Sequence, residues 1–423
     1  MNTFIEKVKV VLGDPILRKR VGFTLGALII FRALGSIPIP GIDVASLQKF
    51  LSGNQLFGLF DIFSGGGISH FSIVMLGVGP YITSSIIMQL LTMMSPKLKS
   101  LFHEEGERGR LKLAQYSRLI AVPLAMIQAF GFLKLLETQH AIATLTGVSL
   151  LTNIVVISAG SMLLMWIGEL ISEFGIGNGV SLIIFAGIVA ALPTHILQFM
   201  ATFDATQLPM YILALAVGLV VVTAVVFVTE AERAVPVTYA KQVRGNKVYG
   251  GTSTYLPLRL NQAGVIPIIF ALSILLFPRV IASFLSNAAN PLVAHIASTV
   301  SAALANGWIY NSIYFIFVVL FTYFYTAVTF DPKMISENLQ KSGAFIPGIR
   351  PGESTMLYLG KVVTRITLVG ALFLGAVAVL PLIMQSVTGN TTLAIGGTAL
   401  LIVVSVVLDL LKKLDAQISM REY

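Results

Sequence analysis

The sequence predicts an all-α polytopic membrane protein with ten transmembrane helices. Hydrophobic residues make up 56% of its 423 positions and charged residues only 11%, whereas a soluble domain carries about 25% charged residues. The mean hydropathy of +0.88 agrees with this class. The apolar runs are continuous rather than alternating, which favours helices, because a helix satisfies its own backbone hydrogen bonds in lipid.

Ten apolar runs, each close to the length of about 20 residues that a bilayer requires, follow one another along the chain. A basic tail, residues 1–20, precedes the first run. We do not interpret the tail and run as a signal peptide, since no small-residue cleavage site follows and many further spans do. The predicted spans are 21–37, 71–94, 119–136, 152–172, 180–201, 209–229, 263–285, 308–329, 362–385 and 393–411.

The positions of lysine and arginine predict the orientation of these spans. If the N-terminus is cytoplasmic, 24 of the 28 lysines and arginines lie in cytoplasmic segments and only four lie outside them. This count assigns Arg365, at the edge of span 9, to the loop that precedes the span. Positive charge marks the cytoplasmic side, so we expect both termini in the cytoplasm. The four exceptions are Arg32, Lys49, Lys134 and Arg279.

Three predicted cytoplasmic loops are long and polar: residues 95–118, 230–261 and 331–361. In the second loop, valines and tyrosines on both sides of Arg244-Gly245-Asn246 predict a β-hairpin. In the third, glycines and prolines predict turns around Arg350. The basic residues either set the topology or form a docking surface for an anionic partner, and composition leaves both interpretations open.

The stretch 61–92 is unlike a simple lipid-facing span. Three consecutive glycines, Gly65–Gly67, each disfavour a helix by about 1 kcal/mol relative to alanine, which predicts a loosely held segment before span 2. Within the span, Val78 and Ile82 are four residues apart and share one helix face. They form either an aliphatic constriction that gates a pore by dewetting or an ordinary packing surface.

Catalytic and metal-binding patterns are missing from the sequence. It has no cysteine, and its five histidines are scattered without ligand spacing. Gly175-Ile176-Gly177-Asn178-Gly179 lies between two spans rather than after a strand, so we interpret it as a tight turn and not as a nucleotide-binding loop. Charged residues near span ends, such as Glu169, are interpreted as anchors whose side chains reach the membrane surface. We therefore expect no enzymatic activity, cofactor or metal.

Two other functions are compatible with ten spans. A secondary transporter for a small solute is one, since two halves of five spans would form inverted repeats if they were equivalent. It should, however, carry a polar midplane site and an ionisable coupling residue, and neither is found. A scaffold subunit is the other, and loss of partner binding after changes in the cytoplasmic loops would argue against it.

Several long motifs, in order along the whole chain, resemble the SecY family, the large channel subunit of the bacterial Sec protein translocase. They are PIPGID (Pro38–Asp43), FSGG (Phe63–Gly66), PYITSSIIMQLL (Pro80–Leu91), EEGERGR (Glu104–Arg110), LMWIGE (Leu164–Glu169), GIGNGVSLIIFAGI (Gly175–Ile188), AGVIPIIFA (Ala263–Ala271) and KSGAFIPGIRPGE (Lys341–Glu353).

The resemblance implies a fold of two inverted pseudo-symmetric halves, residues 1–203 and 204–423, around an hourglass pore in the bacterial plasma membrane. It also implies a function: passage of unfolded secretory polypeptides across the membrane and lateral release of membrane segments into lipid. The implied partners are SecE, SecG, the SecA motor, the ribosome, signal sequences, preproteins and membrane lipid. No cofactor is implied.

The resemblance further implies four groups of site residues. The pore ring comprises Val78, Ile82, Ile184, Ile269, Ser273 and Ile402. The plug comprises Asp61, Ile62, Phe63, Ser64, Gly65, Gly66, Gly67, Ile68, Ser69, His70 and Phe71. Polar members of the lateral gate, between spans 2–3 and 7–8, are Gln89, Thr92 and Asn261. The surface for the ribosome or SecA includes Arg110, Lys112, Lys241, Arg244, Lys247 and Arg350.

Overall fold

The part of the chain that the structure describes is predominantly helical. The computed structural model describes residues 13–40, 67, 71–103, 105–138, 142, 144–201, 208–240, 242–244, 247–249, 251, 253–285, 290–388 and 391–419. The helices are α1 Pro15–Gly35, α2 Gly79–Met94, α3 Pro96–His103, α4 Gly106–Thr138, α5 Gly147–Phe174, α6 Gly179–Ala201, α7 Leu208–Glu230, α8 Ile266–Leu285, α9 Pro291–Ala305, α10 Gly307–Thr329, α11 Pro332–Lys341, α12 Glu353–Thr388 and α13 Thr391–Ser419.

Each of the ten predicted spans coincides with one of these helices, which confirms the predicted helical class. By length and apolarity alone, five helices among the described residues qualify to cross a membrane: Gly106–Glu137, Gly147–Phe174, Tyr211–Glu230, Gly307–Lys341 and Glu353–Met384. The other spans fall on α2, which has 16 residues, on α6 and α8, whose described side chains cover only part of each helix, on α1 with its four basic residues, or on α13, whose first turns lie largely outside the described side chains. One apolar helix, α9, lies between spans 7 and 8, where the sequence predicted only a loop.

Three helices begin with the same device, an Asx side chain followed by proline. The Asp14 carboxylate accepts a hydrogen bond from Ile16 N at 2.8 Å, and the Asn290 side chain accepts one from Leu292 N at 3.0 Å. Asp331 caps α11 in the same way. The side chain pairs an otherwise unsatisfied N–H, while proline lacks the N–H that would go unpaired.

The helix of span 2 begins eight residues later than the apolar run. Ser72 forms an isolated antiparallel bridge with Pro38, residues 73–78 form consecutive turns, and α2 starts only at Gly79. Two features explain why the helix does not start earlier. Gly77 adopts a left-handed φ of 57°, which is not helical. Pro80 lacks the backbone N–H that a helix starting before Gly79 would need at this position.

Two compact units make up the fold. The first contains residues 1–214, 273–310 and 381–423. Within it, α2 packs on α4, α4 on α5, α5 on α6, and α6 on α13. The second contains residues 215–272 and 311–380, including the strands β1 Glu232–Tyr239, β2 Gln242–Arg244, β3 Lys247–Tyr249, β4 Ser253–Arg259 and β5 Ala344–Phe345.

The strands confirm the predicted hairpin in loop 230–261 and add one partner to it. β1 and β4 pair antiparallel, from Glu232 opposite Arg259 to Thr238 opposite Ser253. β2 and β3 continue towards the tip. β5, from loop 331–361, then pairs with the other edge of β1, giving the strand order β4-β1-β5.

The glycine-rich motif 175–179 is a tight turn between α5 and α6, as predicted. Ile176 N donates a hydrogen bond to the Thr24 hydroxyl of α1 at 3.2 Å, and Gly179 N donates one to Ser172 Oγ at 2.9 Å. A Cβ at Gly179 would overlap the carbonyl oxygen of Gly168. The turn therefore fits its neighbours only because residue 179 has no side chain.

This overlap predicts that Gly179→Ala lowers stability, by about 1–3 kcal/mol, because the backbone of α5 must shift to admit a methyl group. Gly218→Ala, in α7, is the matched control, since a Cβ there meets nothing within 4 Å. Thermal unfolding of the purified protein measures both. Equal midpoints for the two variants would contradict the close contact.

Candidate functional site

The implied constriction begins at a non-helical segment, residues 72–78, which we call the turn segment. A backbone hydrogen bond from Gly77 N to Val74 O, 2.8 Å long, closes one of its turns. The hydroxyl of Ser161, on α5, donates a hydrogen bond to the Gly77 carbonyl at 2.8 Å. Non-helical backbone at membrane depth requires such protein partners, since lipid offers none.

α5 is shaped to receive the turn segment. A Cβ at Gly160 would overlap the carbonyl oxygen of Ile73, so the backbone of the turn segment lies directly on this glycine. The next residue, Ser161, is fully buried and provides the hydrogen bond. Two consecutive residues thus allow the close approach and satisfy the polar group that it buries.

Phe71, the last residue of the predicted plug, is firmly anchored. It has a left-handed φ of 46°, which is strained for a bulky residue, and its side chain is fully buried. Its carbonyl accepts a hydrogen bond from Ile39 N at 2.9 Å. Of the other plug residues only Gly67 is described, and 61–66 and 68–70 lie outside the described residues. The surrounding cluster comprises Ile39, Phe71, Met75, Ala129, Phe132, Leu133, Leu136, Ile142 and Ile157.

The five aliphatic residues of the implied ring are all buried, and Ser273 is half-buried. Ile82 N donates to Val78 O at 3.0 Å, so these two residues bracket the first turn of α2. Ile184 and Ile402 lie on α6 and α13, which pack together. The ring itself stays a prediction. The exposed fractions are 0% for Val78, 9% for Ile82, 2% for Ile184, 7% for Ile269 and 1% for Ile402.

Two of the three implied gate residues carry unpaired polar atoms. Gln89 Oε1 and Asn261 Oδ1 are buried without a hydrogen-bond partner among the described residues. The Asn261 amide nitrogen donates to Gly264 O at 3.2 Å, whereas the Thr92 hydroxyl donates to Met88 O of its own helix at 2.8 Å. Burying an oxygen without a hydrogen bond destabilises the protein by about 1–3 kcal/mol. These two oxygens are therefore candidates to accept a hydrogen bond in another conformation of the chain.

An ion pair joins α4 to α5 at Glu169, which the sequence alone indicates to be an anchor at a span end. Arg118 Nε donates to Glu169 Oε1 at 2.6 Å, and the Glu169 side chain is only 22% exposed. Either residue alone is typical of a helix end near the membrane surface. Nothing local pairs residues 51 positions apart, so only the fold reveals this contact.

Two of the predicted cytoplasmic loops form one folded platform. The sheet β4-β1-β5 buries Val235, Val237 and Leu258 against Leu359 and Val363 of α12. Ala240 N adds a hydrogen bond to Gly343 O at 2.9 Å, next to the β1–β5 pairing. Loop 331–361 is therefore held in place by loop 230–261.

Arg350 lies exposed on a turn that this platform holds in place. The Thr355 hydroxyl donates to the Arg350 carbonyl at 2.8 Å, and the Ser336 hydroxyl of α11 donates to Gly352 O at 2.6 Å. Gly348 and Gly352 have φ of 81° and 95°, which glycine adopts without strain. The guanidinium is thus presented outward from a fixed backbone.

The remaining implied docking residues are only partly described. Arg244 and Lys247 face each other across β2 and β3, but their side chains, that of Arg110, and all of Lys241 lie outside the described residues. Lys112 pairs with Glu105 at 2.9 Å. This hydrogen bond raises the pKa of Lys112 above its ordinary value. Among the described residues no cluster of three His, Asp or Glu could hold a metal.

Residues 72–411 match the family model for SecY. "Protein translocase subunit SecY" of Thermotoga maritima is 41% identical, over 97% of this chain and 94% of its own length. The protein of the same name from Aquifex aeolicus is 41% identical, over 96% of each chain. That from Streptomyces scabiei is 40% identical, over 97% of this chain and 96% of its own.

Solved structures share the fold at lower identity. A structure described as that of a protein-conducting channel has a TM-score of 0.65 at 19% identity, covering 96% of this chain and 93% of that one. Sec61 in the canine ribosome-channel complex has a TM-score of 0.62 at 17% identity, with the same coverage. At these identities the likeness concerns the fold alone.

The contact between Ser161 and the turn segment predicts that Ser161→Ala loosens that segment, at a cost of about 1 kcal/mol for the lost hydrogen bond. Ser158→Ala, on the same helix, is the matched control, because the buried Ser158 hydroxyl has no hydrogen-bond partner among the described residues. Hydrogen exchange of peptides covering residues 71–82 should rise in the first variant only. The same exchange in both variants would show that the hydroxyl does not hold the turn.

Proposed function

The chain belongs to the SecY family, and we propose that it is the channel-forming subunit of a protein translocase. It passes unfolded secretory polypeptides across the bacterial plasma membrane and releases membrane-protein segments sideways into lipid. The observation that carries the proposal is the likeness, at about 40% identity and over nearly the whole chain, to translocase subunits. The buried aliphatic residues at the start of α2 support it independently.

The proposed constriction is formed by Val78, Ile82, Ile184, Ile269 and Ile402, with Ser273 beside it. Aliphatic side chains offer no group that could replace the hydration shell of an ion, so a narrow ring of them resists ion passage. The same side chains adapt to a moving polypeptide of varied sequence. A ring of this kind therefore lets a polypeptide chain pass while it prevents ions from leaking through the channel.

We propose that residues 61–71 plug the resting channel. Gly65–Gly67 keep the segment weakly structured, because each glycine disfavours a helix by about 1 kcal/mol. The anchored Phe71 fixes the C-terminal end of the proposed plug. Expulsion then requires no unfolding of the cluster around Phe71.

The proposed lateral gate contains Gln89, Thr92 and Asn261. The unpaired oxygens of Gln89 and Asn261 support it, because a polar group that lacks a partner in one conformation lowers the cost of moving to another. A signal sequence entering between spans 2–3 and 7–8 would supply such a change. Residues 1–203 and 204–423 would then act as the two moving halves.

The driving force comes from partners, since this chain has no recognisable nucleotide-binding motif. We propose the SecA motor and the ribosome as alternating occupants of the cytoplasmic platform, with SecE and SecG as the other channel subunits. The platform presents Arg350 from a fixed turn, and Arg244 and Lys247 are the contacts proposed at the tip of the hairpin. This assignment places both chain termini in the cytoplasm, as the distribution of lysine and arginine predicts.

The ring assignment predicts that Ile82→Asn combined with Ile269→Asn raises ion leak and admits chains with weak signal sequences, because a polar ring stays hydrated. Ile212→Asn, at an exposed position of α7, is the control and should change neither. The measurements are ion flux through proteoliposomes and export of a preprotein with a weakened signal. Unchanged leak and unchanged signal stringency in the double variant would count against the ring.

The docking assignment predicts that Arg350→Glu abolishes copurification with ribosomes and with SecA, because it reverses the charge presented to an anionic surface. Arg350→Lys should retain part of the binding, and Lys413→Glu, in the C-terminal helix, should retain all of it. A transporter of small solutes would instead show saturable uptake without any partner. Full partner binding by Arg350→Glu would remove Arg350 from the docking surface.

A further inference from the structure

A groove of about 580 Å³ lies where α10 ends, α11 begins and α12 enters its apolar run. Pro332 and Gly360 form its base: a Cβ at Gly360 would lie 4.0 Å from Pro332 Cγ, so the start of α11 rests directly on α12. Lys333 lines one wall. Leu357, Lys361 and Arg365 line the other at intervals of four residues, which places them along one face of α12.

The groove is strongly cationic. Lys333, Lys361 and Arg365 are exposed, and none of them forms an ion pair with any residue that the structure describes. The single carboxylate in the lining, Asp331, is already engaged, since it accepts hydrogen bonds from Lys333 N at 2.9 Å and Met334 N at 3.3 Å. The lining therefore holds three cations against one carboxylate, which leaves an excess of positive charge for an anionic ligand.

The predicted spans put the groove at the level of a membrane surface. The apolar run of α10 ends at residue 329, just before Asp331, and the predicted span on α12 starts at residue 362, just after Lys361. Leu357 is 56% exposed beside the cations. A cationic cleft with an apolar wall at this depth matches a ligand that has a phosphate at one end and hydrocarbon at the other.

We propose that this groove, defined by Lys333, Leu357, Lys361 and Arg365 and called here the interfacial groove, binds the phosphate headgroup of an anionic phospholipid in the cytoplasmic leaflet. The cations contact the phosphate, and Leu357 contacts the start of the acyl chains. The choice of leaflet rests on the orientation given under the proposed function. The binding itself requires only that the groove lie at a membrane surface.

Fluorescence quenching in vesicles tests the proposal. The chain has no cysteine, so Ser354→Cys, an exposed position one turn before Leu357, carries a single fluorophore. The full-length protein is reconstituted into equimolar phosphatidylglycerol and phosphatidylcholine, with one lipid or the other brominated in its acyl chains. We expect brominated phosphatidylglycerol to be enriched about fivefold or more over brominated phosphatidylcholine at the fluorophore. Equal quenching by the two lipids would overturn the proposal.

Matched variants locate the binding. Lys333→Gln, Lys361→Gln and Arg365→Gln together should bring the quenching ratio close to one. Arg233→Gln, Arg259→Gln and Lys341→Gln, which remove the same charge elsewhere in the same unit, should leave the ratio unchanged. A conservative triple variant, Lys333→Arg, Lys361→Arg and Arg365→Lys, should keep it as well, which separates charge from a folding defect. Equal loss in the groove and control variants would mean general surface attraction and overturn the site.

A soluble anion distinguishes the lipid from a free phosphate. Millimolar glycerol phosphate should leave the quenching by brominated phosphatidylglycerol unchanged, and its displacement of the lipid would overturn the lipid assignment. Because both vesicle leaflets contain phosphatidylglycerol, the result does not depend on orientation. Ion flux and preprotein export by the same groove variants report on the channel separately, so either proposal can fail without the other.

Discussion

The structure depends on how a short piece of non-helical backbone is satisfied within an apolar helical protein. Residues 72–78 do not form a helix, so their carbonyls and N–H groups need partners that lipid does not provide. Ser161 supplies one for the Gly77 carbonyl, and the Ile37 carbonyl accepts a hydrogen bond from Ile73 N at 3.0 Å. Gly160 lets α5 approach the turn segment closely enough for the Ser161 contact. Phe71 of the proposed plug and Val78 and Ile82 of the proposed ring lie in or next to the stretch that these contacts position.

The platform holds the loop 331–361 in a fixed conformation, and this loop carries the positive charge of Arg350. A guanidinium on a disordered loop loses conformational entropy when it binds, which weakens the complex. Here Arg350 lies on a turn tied by Ser336 and Thr355, and the turn follows a strand of the sheet. Ordering is complete before a partner arrives. The proposed docking surface is therefore preorganised at this residue.

Much of this fold is predictable from local features of the sequence. Continuous apolar runs predict the helices, valines and tyrosines around Arg244 predict the hairpin, and glycines at 175–179 predict the turn between α5 and α6. The features that it did not reveal depend on residues far apart in the chain. The start of α2 at Gly79 accompanies the close contact of the turn segment with Gly160. The Arg118–Glu169 pair joins a residue of a predicted cytoplasmic loop to a residue that the sequence alone indicates to be an anchor. β5 is two residues long, too short to show any periodicity. Of the implied site residues, the five aliphatic ring members are buried, while the plug is recognisable mainly through the family motif at Phe63–Gly66.

The pairing of β1 with β5 has a consequence for how the chain is made. Tyr239 and Ala344 pair across the sheet, although about 100 residues separate them along the chain. At a synthesis rate of roughly 5–20 residues per second, β1 emerges from the ribosome about 5–20 s before its second neighbour exists. During that interval one edge of the hairpin is open and its hydrophobic face uncovered. Exposed strand edges of this kind pair readily with other chains. The newly synthesised chain is therefore prone to aggregate until α11, β5 and α12 have been made and cover the hairpin.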